Sequence, residues 1–168
     1  MLKLLLLTAQ RREKVASMKS SDVADGVWTI ASEEREKGNA GVLKLPQLAL
    51  DIIAAQPRIA GNPYVFGYRH GKWFTGWSHY KAQLDAKLKE LPHWTVHDLR
   101  RTARSLMSRA GVYPDHAERC LGHVVTGVRG VYDRHQFHHE KEQAFEALAG
   151  LIERIVNPPE ENVIALQR

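Results

Sequence analysis

Residues suited to chemistry recur in the second half of the chain, beginning with His97 and Arg100. Their spacing places both side chains on one face of a helix, where a histidine and an arginine could engage one ligand together. Taken alone, an H-x-x-R pair is more often part of a solvated helix face. The pair is therefore interpreted together with the motifs that accompany it.

A second motif, Leu121-Gly122-His123, precedes Tyr132 by a short segment. Glycine after leucine is typical of a helix C-terminus, which would present His123 at the mouth of a loop. A lone tyrosine is usually a core residue. Tyr132 is therefore interpreted together with the other motifs and not alone.

Two adjacent arginines, Arg11 and Arg12, stand near the start of a helix that Thr8 is predicted to cap. The helix dipole disfavours cations at that end. A cation in an unfavourable position can indicate a phosphate site, although most such arginines simply extend into water. Both interpretations stay open on these residues alone.

The elements that must position these residues are mainly helical, with a small antiparallel β-hairpin near the N-terminal third. The hairpin pairs strands at 27–30 and 41–45 and places Lys37 near its turn. The aromatic residues of the loop at 73–77 are predicted to pack in the core, with stacking on nucleic-acid bases as the less favoured alternative. The first predicted helix already includes residue 2. The others span 8–18, 46–56, 78–91, 97–110, 114–121, 128–132 and 140–156.

Composition limits the class of protein. The 168 residues are 43% hydrophobic and 26% charged, which is typical of a soluble globular domain. The net charge of +5 is uneven, because residues 1–135 carry 21 basic and 13 acidic side chains and residues 136–168 carry 3 and 6. The basic part favours a polyanionic partner.

Targeting and redox signals are sparse. The single cysteine, Cys120, excludes an intramolecular disulfide and is predicted to be a core residue. The leucine run at 4–7 is too short for a signal peptide or a membrane span. We therefore expect a cytoplasmic protein that makes no membrane contact.

The order of the motifs resembles one enzyme family over nearly the whole of residues 1–135. The chain resembles the tyrosine recombinases, in particular the phage-type integrases, in the residues of their catalytic signature. In order, these residues are Arg11 (with Arg12 as a less favoured alternative), Lys37, His97, Arg100, His123 and Tyr132. Two positions depart from the family pattern. Lys14 stands where an acidic residue is usual, so either Glu13, one residue earlier, takes over the acid's role or the support of Arg11 is weaker. Ala9 stands where a glycine is usual.

The resemblance implies a tyrosine recombinase catalytic domain, a DNA breaking and rejoining fold of bacterial or phage origin. Its implied function is site-specific recombination, as in integration or excision of mobile DNA. Tyr132 would attack a phosphodiester and hold the 3′ phosphate as a phosphotyrosine ester. Since the ester retains the bond energy, the reaction implies no cofactor and no metal.

The other signature residues acquire roles by the same resemblance. Arg11 and Arg100 would clamp the phosphate, and His123 would add a hydrogen bond to it. Lys37 would act as general acid for the departing 5′ oxygen. His97 would assist proton transfer at the phenol.

Domain organisation and partners follow from the same comparison. We expect a catalytic domain at 1–156, cut at its N-terminal edge and lacking the family's separate N-terminal DNA-binding domain, and a flexible tail at 157–168. The expected partners are double-stranded DNA, further copies of the chain on DNA, and accessory DNA-bending proteins. The helix at 140–156 would dock either on a neighbouring subunit or on its own domain.

Three alternative functions stay open. The same chemistry could relax DNA in the manner of a type IB topoisomerase, or the fold could serve as a non-catalytic DNA-binding module. A metal-dependent nuclease is suggested by His135, His138 and His139. Their spacing does not match H-E-x-x-H and no cysteine lies close by, which favours a structural or solvated role.

Overall fold

A computed structural model describes residues 1–33, 38–69, 71–123 and 135–158. In these ranges the chain forms seven α-helices and five short strands, which confirms a mainly helical fold with a small antiparallel sheet near the N-terminal third. The helices are α1 Leu2–Thr8, α2 Arg12–Ala16, α3 Gln47–Ala54, α4 Trp77–Lys87, α5 Val96–Arg109, α6 Pro114–Leu121 and α7 His138–Val156. The strands are β1 Val23–Ala24, β2 Val27–Thr29, β3 Val42–Lys44, β4 Gly67–Arg69 and β5 Lys72–Trp73.

Helix α1 lies at the centre of the helical core. Leu4, Leu5 and Leu7 are buried, and the helix packs against α3, α5 and α7. Burial of a leucine side chain stabilises a fold by about 1.5–3 kcal/mol. The short apolar run that opens the sequence is therefore the centre of the core.

A short non-helical junction separates α1 from α2, whereas the sequence predicts a continuous helix over 8–18. That prediction is wrong, because the Thr8 hydroxyl donates to the Leu4 carbonyl, 2.7 Å away, and ends α1 instead of capping α2. Ala9 follows in the left-handed region, with φ of 52°. A left-handed backbone favours glycine, which is the residue usual at this position in the resembling family.

The hairpin at 27–30 and 41–45 is confirmed. Strands β2 and β3 pair antiparallel with Trp28 opposite Leu43, and β1 joins β2 at the other edge. The buried Lys141 of α7 donates to the carbonyls of Ala40 and Val42, each 2.9 Å away. Burial lowers the pKa of Lys141. This contact fixes the sheet against the C-terminal helix.

Helix α7 packs on its own domain through most of its apolar stripe. Phe145 and Leu148 are fully buried, whereas Ile155 and Val156 at the C-terminal end are exposed. Of the two expected arrangements, packing on the chain's own domain therefore applies to the part of α7 that contains Phe145 and Leu148.

The region before α4 departs from the sequence prediction. A second hairpin, β4–β5, occupies part of the aromatic loop, and Trp73 is 39% exposed, so its predicted core position is wrong. Trp77 is buried as predicted. Helix α4 ends at Lys87, before the predicted 91, and the predicted helix at 128–132 lies outside the described residues. No described helix has the length and apolarity to cross a membrane.

The prediction that Cys120 is a core residue is confirmed, because its side chain is fully buried. Burial raises the pKa of the thiol to about 12. Since the thiolate is the reactive form, we expect a disulfide reagent such as DTNB to modify Cys120 at least ~100-fold more slowly in the folded protein than in denaturant. Equal rates in both conditions would contradict a buried thiol.

Candidate active site

Three segments meet around the guanidinium of Arg100: the α1–α2 junction, the first turns of α5 and the C-terminus of α6. Arg100 is only 6% exposed. Its Nη1 donates to the Ala9 carbonyl at 2.7 Å and its Nη2 to the Leu121 carbonyl at 2.8 Å. Among the described residues no carboxylate bonds to it, so two neutral oxygens orient its charge without neutralising it.

The N-terminus of α5 sets the position of this arginine. The backbone N–H and the hydroxyl of Thr95 both donate to Asp98 Oδ2, each at 2.8 Å, and the Asp98 backbone N–H donates to the Thr95 side chain, which completes a capping box. The backbone and side-chain hydrogen bonds from Thr95, with one from Arg101, hold the pKa of Asp98 at about 2. With the helix start fixed, the exposed His97 and the buried Arg100 both line one cleft.

That cleft has a volume of about 820 Å³. Four cationic side chains line it, namely Arg11, Arg12, Lys14 and Arg100, against two carboxylates, Glu13 and Glu33, so its lining is basic on balance. Burial, and then the nearby positive charge of Arg11, lower the pKa of Arg100 to about 10, against the opposing effect of Glu118. Arg100 is still a cation at pH 7, so two like charges face one open cleft and favour an anionic ligand there.

The structure distinguishes Arg11 from its neighbour Arg12. Arg11 precedes α2 and donates through Nη1 to the carbonyl of Gly38 at 2.9 Å, on the side of the hairpin loop. Arg12 instead pairs with Glu13 at 2.9 Å and lies over the Trp77 ring. The electrostatic effect of Arg11 on Arg100 makes it the better match to the first signature arginine.

The unusual Lys14 has carbonyl and carboxylate partners on the sheet side of the cleft. Its Nζ donates to the Ala31 carbonyl at 2.9 Å and pairs with Glu33 at 2.7 Å. Glu13 is engaged with Arg12. The hypothesis that Glu13 takes over the usual acid's support of Arg11 therefore finds no contact in its favour among the described residues.

His123 approaches Arg100 from the end of α6. Gly122 ends that helix in the left-handed region, with φ of 72°, and turns the chain so that His123 Nε2 lies 3.1 Å from Arg100 Nη2. The other ring nitrogen, Nδ1, is 2.5 Å from Glu118 Oε2. His123 is thus held between a cation and a carboxylate.

Two supporting residues escaped the sequence analysis. The buried Gln10 donates to the carbonyls of Thr8 and Cys120, at 2.8 and 2.7 Å, and so ties the α1–α2 junction to α6. Glu118 accepts from Arg104 Nε at 2.8 Å as well as contacting His123. Burial raises the pKa of Glu118, but the bonds from Arg104 and His123 outweigh it and leave the pKa below its usual value.

The structure therefore gathers four of the six predicted site residues at one place: Arg11, His97, Arg100 and His123. Lys37 and Tyr132 lie outside the described residues. Two of the three histidines considered as metal ligands have other partners, since His135 bonds Glu140 at 3.1 Å and His139 bonds Gln143 at 2.9 Å. In the described parts of the chain no group of three or more His, Cys, Asp or Glu residues is placed to hold a metal ion.

Comparison with known proteins identifies the family of the chain. The sequence profile of the phage integrase family matches residues 1–139. The chain belongs to the phage integrase family, the tyrosine recombinases whose catalytic domain acts in DNA recombination. No curated protein and no solved structure matches it.

Proposed function

We propose that the chain is the catalytic domain of a site-specific recombinase that cuts and rejoins DNA through a covalent 3′-phosphotyrosine at Tyr132. The observation that carries this proposal is the buried Arg100, oriented by the Ala9 and Leu121 carbonyls and facing a cleft shared with Arg11. A preorganised pair of guanidinium groups is suited to a phosphodiester, because each presents planar paired donors.

The transition state of phosphoryl transfer carries negative charge on the non-bridging oxygens. Arg11 and Arg100 would bind these oxygens in a cleft that both residues already line, which lowers the reorganisation needed during reaction. His123, beside Arg100, would donate a further hydrogen bond. In this arrangement the three residues stabilise negative charge and form no covalent bond themselves.

The covalent step falls to Tyr132, assisted by Lys37 and His97. The Tyr132 oxygen attacks phosphorus, the bond from phosphorus to the 5′ oxygen breaks, and the phenolic proton passes to His97 or to water. Lys37 donates a proton to the leaving 5′ oxygen. The reverse reaction, with a 5′ hydroxyl from another strand, releases Tyr132 and restores a phosphodiester.

A nicked suicide duplex tests this function, because loss of a short cleaved strand traps the covalent intermediate. We expect an SDS-resistant protein–DNA adduct that forms equally in EDTA. An unmodified chain that binds the duplex without forming an adduct would support a non-catalytic module, and cleavage abolished by EDTA would support a metal-dependent nuclease. Strand exchange between two sites, compared with relaxation of a supercoiled circle, separates recombination from topoisomerase-like activity.

The DNA-binding face extends, in this proposal, from the cleft to the β4–β5 hairpin. Lys14 and Glu33 line both the main cleft and a smaller one that reaches Tyr64. Tyr64 packs edge-on against Trp73 of the hairpin, with ring centroids 5.2 Å apart. Beyond these rings the hairpin exposes the side chains of Tyr68, Arg69 and Lys72.

We expect the double substitution Arg69→Ala and Lys72→Ala to reduce the dependence of DNA affinity on salt. Loss of two phosphate contacts lowers the slope of log affinity against log salt by about 1.8. Fluorescence anisotropy over a salt series measures this slope. The matched control replaces Arg109 and Arg154, at the C-terminal ends of α5 and α7, and equal slopes for the two double variants would contradict a hairpin contact.

Assembly on DNA remains part of the proposal. The exposed Ile155 and Val156 at the end of α7 offer an apolar contact for a second copy of the chain. Sedimentation of the chain with a two-site duplex would distinguish a pair of bound copies from independent monomers.

A further inference from the structure

We propose that Glu118 is a positioning residue, which fixes the ring orientation of His123 and, while the site is empty, holds the ring in its Nδ1–H tautomer. This inference rests on the proposed function for the role of His123. Glu118 itself would not touch DNA and would act through the imidazole.

The carboxylate of Glu118 is fixed by contacts on both of its oxygens. Oε1 accepts from Arg104 Nε at 2.8 Å, and Oε2 lies 2.5 Å from His123 Nδ1. Arg104 is held in turn, because its Nη1 donates to the Ser108 hydroxyl at 2.6 Å. Arg104 and Ser108 belong to α5 and Glu118 to α6, so the carboxylate is anchored across two helices.

The contacts of the imidazole assign its proton. Arg100 has donors only, so the nitrogen that lies 3.1 Å from its Nη2, Nε2 of His123, must accept. The proton is then on Nδ1, which donates to Glu118. With a partner on each nitrogen, the ring can neither rotate nor exchange its tautomer without losing a hydrogen bond.

This arrangement matters when a phosphate enters the cleft. The phosphate oxygens compete for the Nη2 donor of Arg100, which leaves His123 Nε2 next to an anion and favours the uptake of a proton from solvent at that nitrogen. A carboxylate at Nδ1 stabilises the doubly protonated ring that results. Glu118 thereby allows one histidine to accept from Arg100 in the empty site and to donate to phosphate in the occupied one.

The tautomer can be measured on the free protein by nitrogen-15 NMR of the His123 ring. We expect the Nδ1–H form in the unmodified chain and a gain of the Nε2–H form in Glu118→Ala. The matched control is Glu142→Ala, which removes a carboxylate 4.0 Å from the ring of His139 on α7. Unchanged His123 signals in Glu118→Ala would overturn the inference. If that variant does not fold, Glu118→Gln keeps the side-chain length but leaves one acceptor for two donors.

A double-mutant cycle tests whether Glu118 acts through His123. On the suicide duplex we expect Glu118→Ala to slow adduct formation about tenfold or more, and Glu118→Ala combined with His123→Ala to be no slower than His123→Ala alone. If the double variant instead slows adduct formation by the product of the two single-variant factors, the inference is overturned. A lack of any adduct from the unmodified chain would instead refute the proposed function, and the NMR comparison would still decide the role of Glu118.

Discussion

Replacing Arg100 with lysine is expected to slow covalent cleavage of DNA by about a thousandfold, even though the positive charge is retained. The guanidinium donates to Ala9 and Leu121 at the same time as it faces the cleft. A lysine ammonium is a point charge that cannot span these partners and also present paired donors to phosphate. Loss of a single preorganised donor in other enzymes costs about 10²–10³ in rate.

The measurement for Arg100→Lys is the single-turnover rate of adduct formation at saturating duplex. Arg101→Lys is the matched control, because Arg101 is the next residue of α5 but is exposed and paired with Asp98 at 2.7 Å. We expect the control to react within about twofold of the unmodified chain, as an exposed ion pair contributes little. An Arg100→Lys rate within tenfold of the unmodified chain would show that a fixed guanidinium is not needed.

Substitution of Gly122 by alanine is expected to lower the free energy of unfolding by at least about 3 kcal/mol. A Cβ at this position would lie 2.2 Å from the Ala40 nitrogen and 2.5 Å from the Asn39 carbonyl carbon. Both are backbone atoms, so no side-chain rotation relieves the overlap. The left-handed φ of 72° adds about 1–3 kcal/mol of backbone strain for a residue other than glycine.

Gly111→Ala provides a control for the backbone strain alone. Gly111 has a similar left-handed φ of 81°, but nothing lies within 4 Å of a Cβ built there. Chemical denaturation should therefore show a smaller loss of stability for Gly111→Ala, on the order of 1 kcal/mol. Equal losses for the two variants would mean that α6 and the loop before β3 do not approach as closely as described.

The close approach at Gly122 also connects stability to the site. The residue before His123 touches the backbone that leads from the hairpin loop into β3, while Arg11 bonds to Gly38 in the same stretch. A shift of this contact would move His123 away from Arg100. We therefore expect any folded Gly122→Ala protein to form the DNA adduct more slowly than folded Gly111→Ala.

Some elements could be predicted from local sequence because local interactions determine them. Helix α6 has the predicted bounds, since Pro114 suits the first helical position and Gly122 suits a left-handed C-cap. The β2–β3 hairpin follows from strand propensity. The start of α2 at Arg12 was not predicted, because Thr8, which could cap a helix that begins directly after it, instead bonds back to Leu4.

The second hairpin could not be predicted for a different reason. Its strands are two and three residues long with an irregular register, too short for an alternating pattern. Tertiary contacts hold it instead, because the Asn62 amide donates to the carbonyls of both Arg69 and Lys72. Such contacts between a loop and two strands leave no periodic signal in the sequence.

The candidate site was also predictable only in part. The identities and order of Arg11, His97, Arg100 and His123 were sufficient to predict a shared site, and the structure brings these four together. Their support was not predictable, because the carbonyls that orient Arg100 come from segments far apart in sequence. Glu118 was missed because a glutamate on a helix is usually solvated. Its partner Arg104 comes from α5, and His123 reaches it only through the left-handed turn at Gly122.

The most direct test of a phosphotyrosine recombinase is to identify the residue that carries the trapped DNA. Mass spectrometry of proteolytic fragments of the suicide-duplex adduct should place a 3′-phosphodiester on Tyr132, and Tyr132→Phe should bind the duplex with unchanged affinity but form no adduct. Attachment at another residue, or an adduct that persists in Tyr132→Phe, would contradict the proposed mechanism.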